Sequence, residues 1–257
     1  MLAPALLVLV GLFGVGLVAG IWRTLDWGVW RDVLTDGRVW AGLGLSVWIA
    51  GVSTVVSGLI AVPMALGLRR ASAGARLAFQ VNLTVPHLVG ALGVLFLLGQ
   101  SGLVARMAFQ VGLIAVPAEF PALVFDRAAV GVILTYVWKE VPFLGLIVLA
   151  ALQGIDADHG SVARTLGASR WQAFRFVTLP MIWPALARGM VLVFAFTFGA
   201  YEVPALLGQT YPQALPVLAW QTFNDVDLAT RPEAMAMALG IGAMCFALIA
   251  VYRRVAR

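Results

Sequence analysis

The stretch VARTLGASRWQAFRFVTLP, residues 162–180, differs from the sequence on both sides of it. It contains three arginines, Arg164, Arg170 and Arg175, whereas the flanking segments are long apolar runs. Over the 257 residues, 62% are hydrophobic, only 11% are charged, and the mean hydropathy is +0.97. Soluble domains carry about 25% charged residues. The composition therefore predicts an integral membrane protein, with residues 162–180 outside the bilayer.

Six apolar runs are long enough to cross a bilayer, which takes about 20 residues of helix. They cover residues 2–22, 40–68, 80–100, 128–151, 184–206 and 233–252. No basic segment precedes the first run, so we interpret it as a retained span rather than a signal peptide. The sequence predicts an all-α, polytopic membrane protein with six transmembrane helices in a single domain, residues 1–257. Its core helices cover about 40–252, and a cytoplasmic loop, about 152–183, joins the fourth and fifth spans.

The placement of arginines orients these spans, because cytoplasmic loops carry an excess of positive charge. With the N-terminus in the cytoplasm, nine arginines fall on the cytoplasmic side and six on the opposite side. The nine are Arg69, Arg70, Arg76, Arg164, Arg170, Arg175, Arg253, Arg254 and Arg257, and the six are Arg23, Arg31, Arg38, Arg106, Arg127 and Arg231. The excess predicts a cytoplasmic N-terminus.

Several function classes are disfavoured by what the sequence contains. The net charge of +5 and the pI near 10.1 are typical of arginines that set membrane topology rather than of a nucleic-acid interface. The single lysine, Lys139, does not belong to a P-loop, so the chain is predicted not to bind ATP by that motif. His87 and His159 are far apart and Cys245 is single. We therefore predict no metal site, no cofactor and no catalytic residue.

The pattern within residues 152–180 predicts a helix, a sharp turn and a second helix. Val162 and Leu166 lie four apart on one helical face, and Gly167 suits the left-handed residue after a helix. Asp156 can cap the start of the first helix. Ser169 followed by Gln172 is a capping-box pattern, which predicts a second helix closed by Thr178-Leu179-Pro180. Residue chemistry alone leaves two functions open: a connector on lipid phosphates, or an element that docks in the groove of a soluble partner.

The same stretch resembles the cytoplasmic loop of permease subunits of ABC importers that work with a substrate-binding protein. That family's pattern is Glu-Ala-Ala, three residues, glycine, about a dozen residues and an apolar–Leu–Pro ending. This chain has Ser161-Val162-Ala163, then Arg164-Thr165-Leu166, Gly167, and finally Thr178-Leu179-Pro180. Ser161 replaces the glutamate, which leaves open the salt bridge that this glutamate would make to the ATPase, although a serine can still cap the helix.

The resemblance extends over most of the chain, since six spans and a length near 260 also fit. It implies that a short coupling helix docks on an ATPase. The implied docking residues are Ser161, Val162, Ala163, Arg164, Thr165, Leu166, Gly167, Ala168, Ser169, Leu179 and Pro180. The implied partners are ABC ATPase subunits, a second permease that is a different chain, a periplasmic substrate-binding protein and membrane lipid. The implied location is the bacterial inner (plasma) membrane, and ATP hydrolysis belongs to the partner chain.

Charged residues inside spans are candidates for a transport pathway, because they are costly there. These are Lys139, Glu140 and Glu202, the last preceded by Tyr201. An interhelical hydrogen bond is the alternative role for Glu202. The surrounding segment FTFGAYEVPALLG, residues 196–208, resembles permeases of the spermidine/putrescine-like branch, which implies a small, polyamine-like solute. The alternative function is an ion-gradient-driven secondary transporter that uses these charges as a relay. A membrane-embedded enzyme is disfavoured.

Overall fold

The computed structural model describes residues 3–69, 71–154 and 158–255, and within them the chain forms helices and no strand. The helices are α1 Ala3–Arg23, α2 Trp27–Thr35, α3 Gly37–Leu68, α4 Ala73–Thr84, α5 His87–Leu98, α6 Leu103–Gln110, α7 Val130–Gly154, α8 Asp158–Thr165, α9 Arg170–Ala173, α10 Leu179–Gly199, α11 Glu202–Leu207, α12 Leu215–Phe223 and α13 Arg231–Val255. Short 3-10 turns cover Pro117–Glu119 and Leu228–Thr230, and a π-helical turn covers Phe174–Thr178. The all-α prediction is confirmed.

Five described helical stretches are long and apolar enough to cross a bilayer. They are Gly37–Leu68, His87–Gln110, Val130–Gly154, Arg170–Gly199 and Leu228–Ala250. They match the second to sixth predicted spans, which confirms a multi-pass membrane protein. Within the first predicted span, 2–22, the described residues 3–22 are helical as part of α1, but α1 is not among these five stretches, so the count of six stays a prediction.

Helices α3, α7 and α10 form the centre of the molecule. α7 runs towards the segment 158–178 and α10 returns from it, so the two helices are antiparallel. At the end near this segment, Leu68, Leu152 and Ile182 are buried together. We call this the loop end. At the opposite end, which we call the far end, Ile49 and Val203 are buried in a separate cluster.

The third predicted span, 80–100, is interrupted by a break between α4 and α5. Pro86 has no backbone N–H and disfavours helical geometry in the residue before it. Val85 is accordingly extended, with φ −75° and ψ 125°. Residues 87–100 of the predicted span belong to the apolar stretch His87–Gln110, whereas residues 80–84 belong to α4, a change of helix that the apolar composition did not predict.

The fifth predicted span, 184–206, differs from the structure at both ends. One continuous helical stretch runs from Arg170 to Gly199, so the predicted helix end at Thr178-Leu179-Pro180 was wrong. Pro180 lies in the first turn of α10, directly after the wider π-helical turn, where its missing N–H is tolerated. At the far end the helix stops at Gly199, because Ala200 is extended, and α11 begins separately at Glu202.

A close contact at the far end fixes the start of α12 against α3. A Cβ on Gly42 would lie 2.7 Å from the backbone oxygen of Gln213. One turn further along α3, the Ser46 hydroxyl accepts a hydrogen bond of 2.8 Å from the backbone N–H of Leu215. α12 therefore depends on the absence of a side chain at residue 42.

We expect Gly42→Ala to destabilise the folded protein, because the new methyl group would force backbone atoms apart. Overpacking of this kind costs about 1–3 kcal/mol. In a chain of this size, that corresponds to a fall of roughly 2–10 °C in the unfolding midpoint. Size-exclusion chromatography of heated, detergent-solubilised protein measures the midpoint. Gly44→Ala, on the same helix and with open space around its Cβ, is the matched control. Equal midpoints for the two variants would contradict the packing argument.

Candidate functional site

The segment between α7 and α10 forms a rigid bend at Gly167. The glycine has φ +90°, a conformation that L side chains rarely adopt. The Gly167 N–H donates to Arg164 O at 3.0 Å, and the Ala168 N–H donates to Ala163 O at 3.0 Å. These two bonds form the Schellman motif that closes a helix around a left-handed glycine. The predicted turn at Gly167 is therefore present.

A complete capping box starts the next helix immediately after this turn. The Gln172 N–H donates to Ser169 Oγ at 3.2 Å, and the Ser169 N–H donates to Gln172 Oε1 at 2.8 Å. Both backbone donors are thus satisfied without solvent. Because α9 continues through the π-helical turn into α10, the bend is joined without interruption to a membrane-spanning helix.

The bend presents apolar side chains that nothing in the described chain covers. Leu166 is 83% exposed, and Val162, Trp171 and Phe176 are also exposed. By contrast, Leu179 packs against the loop-end cluster, so this predicted docking residue contributes to the core. Asp156 lies outside the described residues, as does the side chain of Ser161. An exposed apolar group of this kind indicates a protein or membrane contact.

The buried charge of Lys139 is satisfied at the break between α4 and α5. Its side chain is 3% exposed, and its ammonium donates to Asn82 O at 2.7 Å and also to Val85 O. In return, Asn82 Nδ2 donates to Trp138 O at 2.6 Å. Breaking a helix at Pro86 leaves carbonyls without helical partners, and in a membrane such groups need a donor from the protein. The structure thus positions Lys139 to stabilise the break.

Glu140 is directed to a different partner, a histidine that sequence reasoning did not select. The Glu140 Oε1 atom lies 3.3 Å from Nε2 of His87, the first residue of α5. The sequence signal was a titratable residue placed directly after a proline inside an apolar run. Lys139 and Glu140 are adjacent in α7 and therefore point in different directions, so each contacts a different group on the α4–α5 segment.

A cavity of about 400 Å³ lies next to this pair, between α5, α7 and α10–α11. Its lining consists of His87, Tyr136, Phe196, Ala200, Tyr201, Glu202 and Val203. Of the four predicted pathway residues, Tyr201 and Glu202 line the cavity, Glu140 lies behind His87, and Lys139 faces elsewhere. Tyr136, which the sequence analysis did not identify, is fully buried, and its hydroxyl has no hydrogen-bond partner among the described residues.

The cavity and the bend lie at opposite ends of the same helices. Tyr136 is 18 residues before Gly154, the last residue of α7, which corresponds to about 27 Å at 1.5 Å per residue. Phe196 is 17 residues after Leu179, the first residue of α10, or about 26 Å. The cavity therefore belongs to the far end, and α10 connects it to the bend.

Comparison with known proteins gives a family for this arrangement. Residues 54–257 match the family described as the binding-protein-dependent transport system inner membrane component. The chain belongs to that family. The relatives that the chain resembles are permease subunits of ABC importers, and this chain is therefore an ABC-importer permease subunit as well. Membership in this family disfavours the alternative of an ion-gradient-driven secondary transporter.

Individual relatives differ in the solute that their names state. The molybdenum transport system permease protein ModB of Mycobacterium tuberculosis is 30% identical over 233 residues, covering 85% of this chain and 84% of ModB. The putrescine transport system permease protein PotI of Escherichia coli is 24% identical, covering 92% of this chain and 79% of PotI. A crystal structure of a bacterial alginate ABC transporter, in complex with an alginate pentasaccharide-bound periplasmic protein, contains a chain with a TM-score of 0.82 at 18% identity. The alignment of the two chains includes 100% of this chain and 92% of the chain in the alginate transporter, which shows a shared fold.

We expect Lys139→Met to destabilise the protein because it leaves the Val85 carbonyl at the helix break without its donor, whereas the Asn82 carbonyl keeps only its bond from the Val85 N–H. An unsatisfied buried polar group costs about 1–3 kcal/mol. Thermal unfolding in detergent measures the loss of stability. Lys139→Arg, which keeps a charged donor at this position, is the control and should be more stable than Lys139→Met. Wild-type stability of Lys139→Met together with loss of transport would instead assign Lys139 to the pathway.

Proposed function

We propose that the chain is a six-span permease subunit whose bend, residues 158–178, docks in the cytoplasm on an ABC ATPase. A second permease, which is a different chain, and an external substrate-binding protein complete the importer, and the N-terminus lies in the cytoplasm of the cell. The observation that carries this proposal is the exposed apolar face of Val162 and Leu166 on a helix fixed by the Gly167 turn. An amphipathic helix of this kind fits a hydrophobic groove on a partner.

The hydrogen bonds of the bend suit it to transmit motion. Backbone hydrogen bonds of the Schellman motif and the capping box fix the turn between α8 and α9, and α9 continues into α10. α10 in turn packs on α3 and α7 through Ile182 and Leu186. Movement of a docked ATPase would therefore displace α10 as a rigid body rather than bend a flexible linker.

The far-end cavity is then the place where this displacement reaches the solute. α10 contributes Phe196, and the segment directly after it contributes Tyr201 and Glu202. Since the same helix begins at the bend and ends at the cavity wall, ATP-driven movement at one end changes the shape of the cavity at the other. A cavity of about 400 Å³ is of the size that holds a small solute.

We expect Gly167→Glu and Leu166→Glu to abolish capture of the ATPase while the protein still inserts in the membrane. A side chain at residue 167 is strained at φ +90°, by roughly 1–2 kcal/mol. A carboxylate at residue 166 would have to be buried in an apolar groove without a partner. Affinity purification from mild detergent, with quantification of a P-loop ATPase in the eluate, measures capture.

Val226→Glu is the matched control. Val226 is 98% exposed, between α12 and α13, and it lies at the far end. The same apolar-to-acid change there should leave ATPase capture unaltered. If Leu166→Glu captures as much ATPase as wild type, the bend is a connector on the lipid surface and the docking proposal fails.

A further inference from the structure

We propose that the far-end cavity binds an organic cation, a solute with a protonated amine or a quaternary ammonium nitrogen. This inference rests on the proposed function, because it assigns a solute class to that transport path. The cavity joins a carboxylate and a set of aromatic rings, which both favour a positively charged ligand, and a buried hydroxyl without a partner lies beside them.

The charge of the cavity is negative. Glu202 lines it, whereas the nearby carboxylate of Glu140 lies 3.3 Å from Nε2 of the lining residue His87, which offsets the charge of Glu140 when it is protonated. No lysine or arginine is among the lining residues, and the one nearby cation, Lys139, directs its ammonium to the carbonyls of Asn82 and Val85. In the described part of the chain, Glu202 forms no ion pair. An anionic solute would therefore enter against an uncompensated negative charge in a membrane.

Aromatic rings form the other walls. The His87 ring lies 4.9 Å from Phe196 and 6.2 Å from Tyr136, measured between ring centroids. Tyr201 lies 5.5 Å from Trp220, which continues the aromatic surface beyond the cavity. The faces of phenylalanine, tyrosine and tryptophan attract ammonium groups, and the attraction is strongest where water is excluded. Rings combined with a carboxylate recognise a cation with little demand on its exact shape.

The Tyr136 hydroxyl supplies a fixed polar contact. Tyr136 is a fully buried residue of the cavity lining, and its hydroxyl has no hydrogen-bond partner among the described residues. A buried hydroxyl without a partner is unfavourable, so a ligand that bonds to it recovers this free energy. An ammonium N–H can donate to the phenol oxygen while the charge of the ligand faces Glu202. An oxyanion could accept from the same hydroxyl, but only beside that carboxylate.

The test uses the intact complex, with its ATPase and binding protein, reconstituted in lipid nanodiscs. Equilibrium binding is measured with three probes: putrescine, tetraethylammonium and molybdate. We expect the cations to bind and molybdate not to bind. Glu202→Gln should weaken cation binding at least about tenfold, since it removes a charged partner. Tyr136→Phe should weaken the binding of putrescine about fivefold, since it removes one hydrogen bond but keeps the ring.

Two further variants separate charge from structural damage. Glu202→Asp keeps the carboxylate and should retain cation binding to within a few-fold. Asp32→Asn makes the same acid-to-amide change on an exposed residue of α2 and should bind as wild type does. The inference is overturned if neither cation binds, if molybdate binds at the cavity, or if Asp32→Asn weakens binding as much as Glu202→Gln. Retention of the ATPase in each preparation is scored separately, so failure of the cation site is distinguishable from failure of the docking proposal.

Discussion

Gly189 allows α10 to lie so close to α7 that a Cβ at this position would be 2.7 Å from Leu144 Cδ2. The membrane supplies no hydrophobic driving force between helices, so close packing at small residues has to hold them together. This contact lies near the middle of α10, between the bend at one end and the cavity at the other. Because interdigitated side chains resist gradual deformation, we expect α7 and α10 to move as rigid helices in the proposed transport cycle. The proposed coupling between ATPase and solute depends on this packing.

The break at Pro86 explains two features that seem unrelated in the sequence. It leaves carbonyls at Asn82 and Val85 that Lys139 satisfies, and it places His87 at the start of a new helix, within reach of Glu140. A lysine and a glutamate next to each other in a span thus have separate tasks. One stabilises the backbone of the break, and the other contacts a residue that lines the cavity. Charges inside a membrane are functional candidates as a rule. Here Glu202 and Glu140 lie at or next to the cavity, whereas Lys139 stabilises the helix break.

Local patterns in the sequence were sufficient for the parts of the structure that local hydrogen bonds determine. The glycine turn at Gly167 and the capping box of Ser169 and Gln172 were predicted because each needs only neighbouring residues. Hydropathy located most of the long apolar helices because it, too, depends only on residues that are close together in the sequence. It did not show that the helix continues past Pro180, because the preceding π-helical turn accommodates a proline that would otherwise end it. Tyr136 and His87 were missed because they join the cavity only through contacts between helices.

The solute cannot be inferred from family membership, because relatives at comparable identity are named for molybdenum and for putrescine transport. These two solutes have opposite charge, so the electrostatics of the path distinguishes them better than overall similarity does. Glu202 is exposed at the cavity mouth of this subunit, and an unpaired carboxylate in the path repels an anion and attracts a cation. The lining of the far-end cavity, with Glu202 beside aromatic rings and no lysine or arginine, is therefore more informative about the solute than the 30% identity to ModB. The same reasoning extends to the proposed importer, in which any residues that a second permease adds to the path must leave its net charge negative for a cation to pass.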